Sequence, residues 1–245
     1  MHDAHVHLDF MANAEQVASD AYSADIALFA NTVTPDGWAA AQTRFIDFEN
    51  VHVGWGMHPW WVDDASASTL PSIPEDVRFV GEVGLDFSRR HEETRDAQIE
   101  VFQTIANACA EQGGKIISIH SVHAARETLD ILETCGALES CTCLLHWYTG
   151  PSDQLKRAIV AGCYFSVGPR MVATAKGREY VKAIPAKQLL LETDAPPGQN
   201  VDYSLTELCP ELDTVSQAIA AIKGEGALEI IDSTFHRLFN YRQLS

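Results

Sequence analysis

Residues 1–10 read MHDAHVHLDF, and the six residues 3–8, DAHVHL, decide the fold once the pattern they begin is followed. His5 and His7 alternate with apolar neighbours, which is the period of a strand carrying a polar pair on one face. Seven further apolar or β-branched runs follow, at 26–32, 51–56, 78–83, 115–120, 142–146, 163–167 and 188–192. Segments with helical spacing lie between or after them, at 36–48, 92–112, 124–134, 152–161, 174–183, 205–222 and 228–239. Gly113-Gly114, Gly136, Gly162 and Pro185 are their stop signals. Short strands alternating with helices predict parallel strands joined by crossovers. Eight of them in 245 residues predict an α/β fold closed into a (β/α)8 TIM barrel. No G-x-G-x-x-G follows the first run, which argues against a dinucleotide-binding open sheet. Nothing resembling a linker or a low-complexity stretch divides the chain, so 1–245 is expected to be a single domain.

Composition narrows the class. An apolar content of 46% and mean hydropathy near zero fit a globular chain with a core of its own. No apolar run reaches the ~20 residues of a membrane span, and no basic-then-apolar leader precedes the first polar cluster. The six cysteines show no disulfide-framework spacing and are expected to be reduced thiols in a cytoplasmic protein. Cys141 and Cys143 form a C-x-C inside an apolar run and read as core. Net charge is −17, from 17 Lys+Arg against 34 Asp+Glu. That speaks against broad binding to a polyanion, though a compact site can draw positive charge from bound cations.

A parallel barrel builds its chemistry at the C-terminal ends of its strands. The residues falling there are His5 and His7 from the first run, Glu82 from FVGEVGLD, His120 from IISIH, His146 from CLLHW, and Glu192 and Asp194 from LLLETD. Each alone reads as a structural histidine or a turn carboxylate. Together they would bury carboxylates among four imidazoles, which is costly without a cation. Imidazole and carboxylate without thiolate suit Zn, Mn, Fe or Ni, and fit oxygen-seeking Ca poorly. Four histidines and two or three carboxylates exceed one tetrahedral ion, so two divalent ions ~3.5–4 Å apart with a bridging carboxylate are expected.

The pieces DAHVHLD, GMHPW, GEVGLDF, ISIHSVHA, LLHWYTG, YFSVGP, LLLETDAPP and FHRLFN together resemble the TatD family of metal-dependent hydrolases, a branch of the amidohydrolase-like barrels. They occur in the family's order from first strand to last helix. The wording SIHS and LHW is similar to the shorter TatD-like proteins, including those found with anti-phage defence systems, which implies partner proteins of such a system. The resemblance implies that His5, His7 and Asp194 hold one metal ion, that His120 and His146 hold the second, and that Glu82 bridges them. It implies phosphodiester hydrolysis on DNA, with Mg or Mn among the supporting ions and with D-aminoacyl-tRNA deacylation as a further family activity. A small phosphoester is the other substrate expected. Asp194 and Glu82 would be the catalytic carboxylates, with Asp194 orienting or deprotonating the attacking water. The chain departs from the family after the fifth-strand histidine, where Ser121-Val122-His123 stands in place of Thr-Arg. It departs again at Ala195-Pro196-Pro197, in place of Ser-Pro-Tyr, and HPWW replaces a more polar loop.

Further substrate contacts are expected from Trp147, from Arg170 and from His58, which just past the third strand either reaches substrate or orients a ligand. Trp60 and Trp61 either stack on bases or pack the rim, and Lys176 and Arg178 either meet phosphate or begin a solvated helix. Asp9 and Asp86 are expected to hydrogen-bond loops or ligand imidazoles. Two rival readings remain at this point. One is an amidohydrolase-type enzyme acting on an amide, ester or lactone, which would favour a lysine where Glu82 stands. The other is a non-catalytic barrel subunit of a larger complex.

Overall fold

The computed structural model describes residues 1–239. Asn240, the last residue of the FHRLFN run, lies outside them. Eight strands form one sheet in chain order, with every neighbouring pair parallel. They are β1 (His2–Val6), β2 (Ala27–Asn31), β3 (Val51–Met57), β4 (Phe79–Asp86), β5 (Ile116–Val122), β6 (Thr142–His146), β7 (Tyr164–Val167) and β8 (Leu189–Leu191). The expected (β/α)8 barrel is the observed fold.

The seam between β8 and β1 is closed partly by side chains. Near the floor, Leu191 N–H donates to His2 Nε2 at 3.2 Å. One level up, Asp3 accepts from the Thr193 backbone at 3.1 Å and from its hydroxyl at 2.5 Å. At the mouth the backbone takes over, with Asp194 N–H on His5 O at 2.9 Å and His7 N–H on Ala195 O at 2.7 Å. This last pair places Asp194 beside both first-strand histidines.

Two apolar layers flank the strands. Val6, Leu28, Val53, Val80, Val83, Leu85 and Ile117 pack outward against Val101, Phe102, Leu129, Leu155 and Leu208 of the helices. Ala4, Phe29, Ile116, Leu144 and Leu190 pack inward with Phe235, Leu238 and Phe239, so the helix Gly226–Phe239 plugs the floor. The two layers reveal a break in strict alternation. Ala4 faces in, yet Val6, two residues on, faces out, and β1 shifts register between Asp3 and Val6. In β4, Val80 faces out, and the shift between Val80 and Val83 turns Glu82 inward. Bulges of this kind re-aim side chains beside functional sites.

The helices differ from expectation at several points, among them short turns at Ala137–Ser140 and Pro169–Val172 that were not expected. A helix at Ala14–Ser23 was not expected, although its buried positions Ala14, Val17, Ala18 and Ala21 have helical spacing. The helix expected to run to residue 48 ends at Arg44. Between β3 and β4 the crossover shrinks to a 3-10 turn, Pro59–Trp61, and a single helical turn, Ser66–Thr69. That crossover leaves His58, Trp60 and Trp61 on a loop at the mouth.

Candidate metal centre

Glu82 is the hub of the barrel mouth, 2% exposed, and its two carboxylate oxygens face different partners. Oε2 lies 3.4 Å from His5 Nε2 and 3.2 Å from His7 Nε2. Oε1 lies 2.8 Å from His120 Nδ1, 2.8 Å from His146 Nε2 and 3.3 Å from His58 Nε2. Asp194 joins the Oε2 side, its Oδ1 standing 3.9 Å from His5 Nε2 and 3.7 Å from His7 Nε2. All six residues expected to ligate metal are therefore brought together, from strands β1, β4, β5, β6 and the segment after β8. The Asp194 backbone holds φ at 58°, a left-handed turn that Asp tolerates better than most residues.

Neighbours of these ligands fix which ring nitrogens are available. His5 Nδ1 meets Ser118 Oγ at 2.8 Å and His7 Nδ1 donates to Asn31 O at 3.0 Å, so both Nε2 atoms point at Glu82 and Asp194. His120 is reversed: Nε2–H donates to Asp86 Oδ2 at 3.1 Å and leaves Nδ1 toward Glu82. A metal-ligating imidazole is typically oriented in this way, by a hydrogen bond from its other nitrogen. Gly81 makes the arrangement possible, because a Cβ there would fall 2.2 Å from Asn31 Oδ1 and 2.8 Å from Ser118 Cβ.

The electrostatics ask for positive charge. Burial pushes the Glu82 carboxyl up, but the imidazoles of His58, His146 and His5 and the hydrogen bond from His120 outweigh it and hold the group well below the usual range. Burial opposes charge on His120 too, yet Asp86 and Glu82 bring it up to about 9. His5, crowded by burial and by His146, is driven well below its usual value. Its Nε2 is buried without a hydrogen-bond partner. Among the described residues, His5/His7/Asp194, His58/Glu82/His120 and His5/His146/Glu192 each gather donor atoms within 4.8 Å of one another. An orphaned imidazole nitrogen aimed into nitrogen and oxygen donors with no thiolate fits divalent cations of the Zn, Mn, Fe, Ni or Mg kind.

Residues 2–240 match the model of the family described as TatD related DNase. The chain belongs to that family. A Mycobacterium tuberculosis relative, "Uncharacterized metal-dependent hydrolase TatD", is 32% identical over 213 residues, covering 80% of each chain. The mouse "Putative deoxyribonuclease TATDN3" is 30% identical over 178 residues, covering 72% of this chain. YabD of Bacillus subtilis, an "Uncharacterized metal-dependent hydrolase", is 33% identical over 157 residues, or 61% of this chain. The chain spans only 59% and 60% of the length of the mouse and Bacillus relatives. Two solved structures share the fold. YJJV, a TatD homolog from Escherichia coli, superposes with a TM-score of 0.73 at 20% identity, over 99% of this chain and 98% of its own. A TatD family hydrolase from Entamoeba histolytica gives 0.75 at 12% identity, over 98% and 97%.

The expected substrate residues of this TatD-family chain are placed unevenly. His58 reaches Glu82, and its Nδ1 accepts the Trp60 backbone N–H at 3.1 Å, so a neutral ring carries its proton on Nε2. Arg170 is 57% exposed, lies 3.5 Å from Asp194 Oδ2 and sits over the Trp147 ring at 5.0 Å. Lys176 and Arg178 donate to the carbonyls of Thr149 and Val172, so their contacts are with the backbone. Asp86 accepts from the His120 imidazole and Asp9 from its own loop backbone, both within expectation, while the Asn31 carbonyl holds His7. Ser118 and Asn31 escaped sequence reading. Ser118 sits two residues before His120 and so shares its strand face, a usable signal; Asn31 contributes a carbonyl, which any residue type supplies. Glu192 accepts from Ser166 Oγ and lies 3.8 Å from His146 Nδ1, with burial raising its carboxyl to about 8.

Proposed function

We propose that this chain is a hydrolase of phosphodiester bonds in nucleic acid, with two divalent ions held on the two sides of Glu82. The observation carrying the reading is the division of the Glu82 carboxylate, Oε2 toward His5, His7 and Asp194 and Oε1 toward His120 and His146. Relatives named deoxyribonucleases support the bond type. Such ions would neutralise phosphate oxygens and make water acidic enough to serve as nucleophile near neutral pH.

The protein's own groups do the rest. Asp194, 20% exposed, is the carboxylate open to solvent, and it receives the proton of the attacking water. Arg170 needs only to leave its long contact with Asp194 to hold a phosphate oxygen, with the Trp147 face guiding its plane. His58 Nε2–H is a donor rather than a ligand, and it holds Glu82 Oε1 in place. Residues 1–245 act as one barrel domain. No described helix is long and apolar enough to cross a membrane. Six free cysteines support a reducing, cytoplasmic setting.

A metal-reconstituted activity panel tests the proposal, using single-stranded DNA, duplex DNA and a chromogenic phosphodiester with Glu82→Ala as control. Phosphodiester cleavage that disappears in the control is the expected result. Activity confined to an amide, ester or lactone panel overturns it.

A further inference from the structure

Among the described residues three aromatic rings are exposed, Tyr22, Trp60 and Trp61, and two of them stand side by side at the metal centre. Trp60 is 53% exposed and Trp61 37%. Their planes are nearly parallel, 14° apart, with centroids 6.4 Å apart. Neither ring is loose. The Trp60 indole N–H donates to Asp86 Oδ2 at 2.7 Å, and its ring lies flat along His91 at 5.2 Å. Trp61 meets the edge of His58 at 5.4 Å and leans on Phe10 at 6.3 Å, while Phe10 stacks on His7 at 5.0 Å. A continuous arc of rings thus runs from His7 to His91 along the rim, and the part reaching solvent is indole. Trp60 also lies 6.2 Å from the His120 ring, so a ligand on this face lies next to a phosphate at Glu82.

The charge balance gives an independent reason to look for non-ionic binding. A chain with 34 acidic and 17 basic residues gains little from releasing counterions along a nucleic-acid backbone. Of the three candidate cations after β7, Arg170 reaches Asp194, while Lys176 and Arg178 are engaged by the carbonyls of Thr149 and Val172. Affinity for a polyanion must then come from elsewhere, and planar rings held rigid beside the site supply it by stacking.

We propose that Trp60 and Trp61 form a base-stacking subsite that carries most of this chain's affinity for nucleic acid. A duplex hides its base faces and offers the platform nothing. Stacking is tolerant of sequence, so the subsite reads the presence of a free base rather than its identity. The inference rests on the phosphodiester reading above and names the residues that hold the base.

The test measures equilibrium binding of a short labelled oligo(dA) to the metal-loaded Asp194→Asn protein, compared with a strand of the same length made of abasic sites and with a duplex. The expected order is oligo(dA) above both the abasic strand and the duplex. Trp61→Ala should lower oligo(dA) affinity by about five- to 100-fold, leave abasic-strand binding unchanged, and be largely rescued by Trp61→Phe. Trp61 is the preferred position because the Trp60 indole also holds Asp86. The log–log dependence of affinity on salt should be no steeper than about −2. Equal binding of the abasic strand, an unchanged Trp61→Ala affinity, or a steeper salt slope would each overturn the subsite. Wild-type turnover on the same oligonucleotide is read separately. Base-dependent binding without turnover removes the hydrolase reading and keeps the platform; turnover with base-independent binding does the reverse.

Discussion

His2 lies flat on Phe235, ring centroids 4.2 Å apart, and His52 packs against Phe79 and Phe239 at 4.7 and 5.4 Å. At the opposite end of the same barrel, His5, His7, His58, His120 and His146 each approach Glu82 to within 3.4 Å. The floor pushes imidazoles toward neutrality: burial, with Arg78 nearby, takes His52 down to about 4, and burial lowers His2 despite Asp232. The mouth is divided: burial holds His5 well below its usual value and takes His58 down to about 4 despite Glu82, whereas His7, His120 and His146 are raised. Burial opposes charge on His7 as well, but Glu82 and Asp194 bring it up to about 9. The same side chain thus packs on phenylalanine rings at one end and gathers round a single carboxylate at the other, with burial opposing its charge at both.

The contrast breaks most visibly at Glu82. Glu82→Ala should lose both ions and reduce turnover by several orders of magnitude, read by metal analysis and by the activity panel. His52→Phe at the floor should keep full metal content. Asp194→Asn should melt close to wild type while turnover again falls by orders of magnitude; unchanged turnover would sink the assignment of the base. Gly81→Ala pushes a methyl into Asn31 and Ser118, the supports of His7 and His5. It should cost about 1–3 kcal/mol in urea unfolding and weaken metal binding as well. Arg170→Ala should raise KM about tenfold with kcat less affected, since one charge-assisted hydrogen bond is lost.

The smallest effect is one of pH on the floor. The folded His52 ring titrates at about 4, below its ordinary 6.5. Between those values the unfolded chain binds a proton that the folded ring refuses, so stability falls as pH drops through the window and levels off below it. His52→Gln should flatten that part of the curve when urea midpoints are compared across pH.

Much of this was legible in the sequence because strand ends are where a parallel barrel must place chemistry. The alternation at His5 and His7 survives in the structure, and so does the clustering of His120, His146 and Asp194 with them. The inward aim of Glu82 was less accessible. Val80 and Glu82 share strand parity, so strict alternation sends Glu82 toward the helices; the register shift in β4 reverses that, and Gly81 within the strand is its sequence signal. The helix Ala14–Ser23 was legible from the spacing of Ala14, Val17, Ala18 and Ala21 and was missed all the same, three of those four buried residues being alanine. His58 read as either a substrate contact or a residue orienting a ligand, and its 3.3 Å approach to Glu82 from the end of β3 fits the second.

The division of Glu82 between two cation sites is tested most directly by electron paramagnetic resonance of the Mn(II)-loaded protein. Two ions sharing one carboxylate should give an exchange-coupled spectrum at full loading, collapsing to an isolated-ion signal in His146→Ala and to free Mn(II) in Glu82→Ala. An isolated-ion signal at saturation in the wild type, or a coupled spectrum that persists without Glu82, would contradict it.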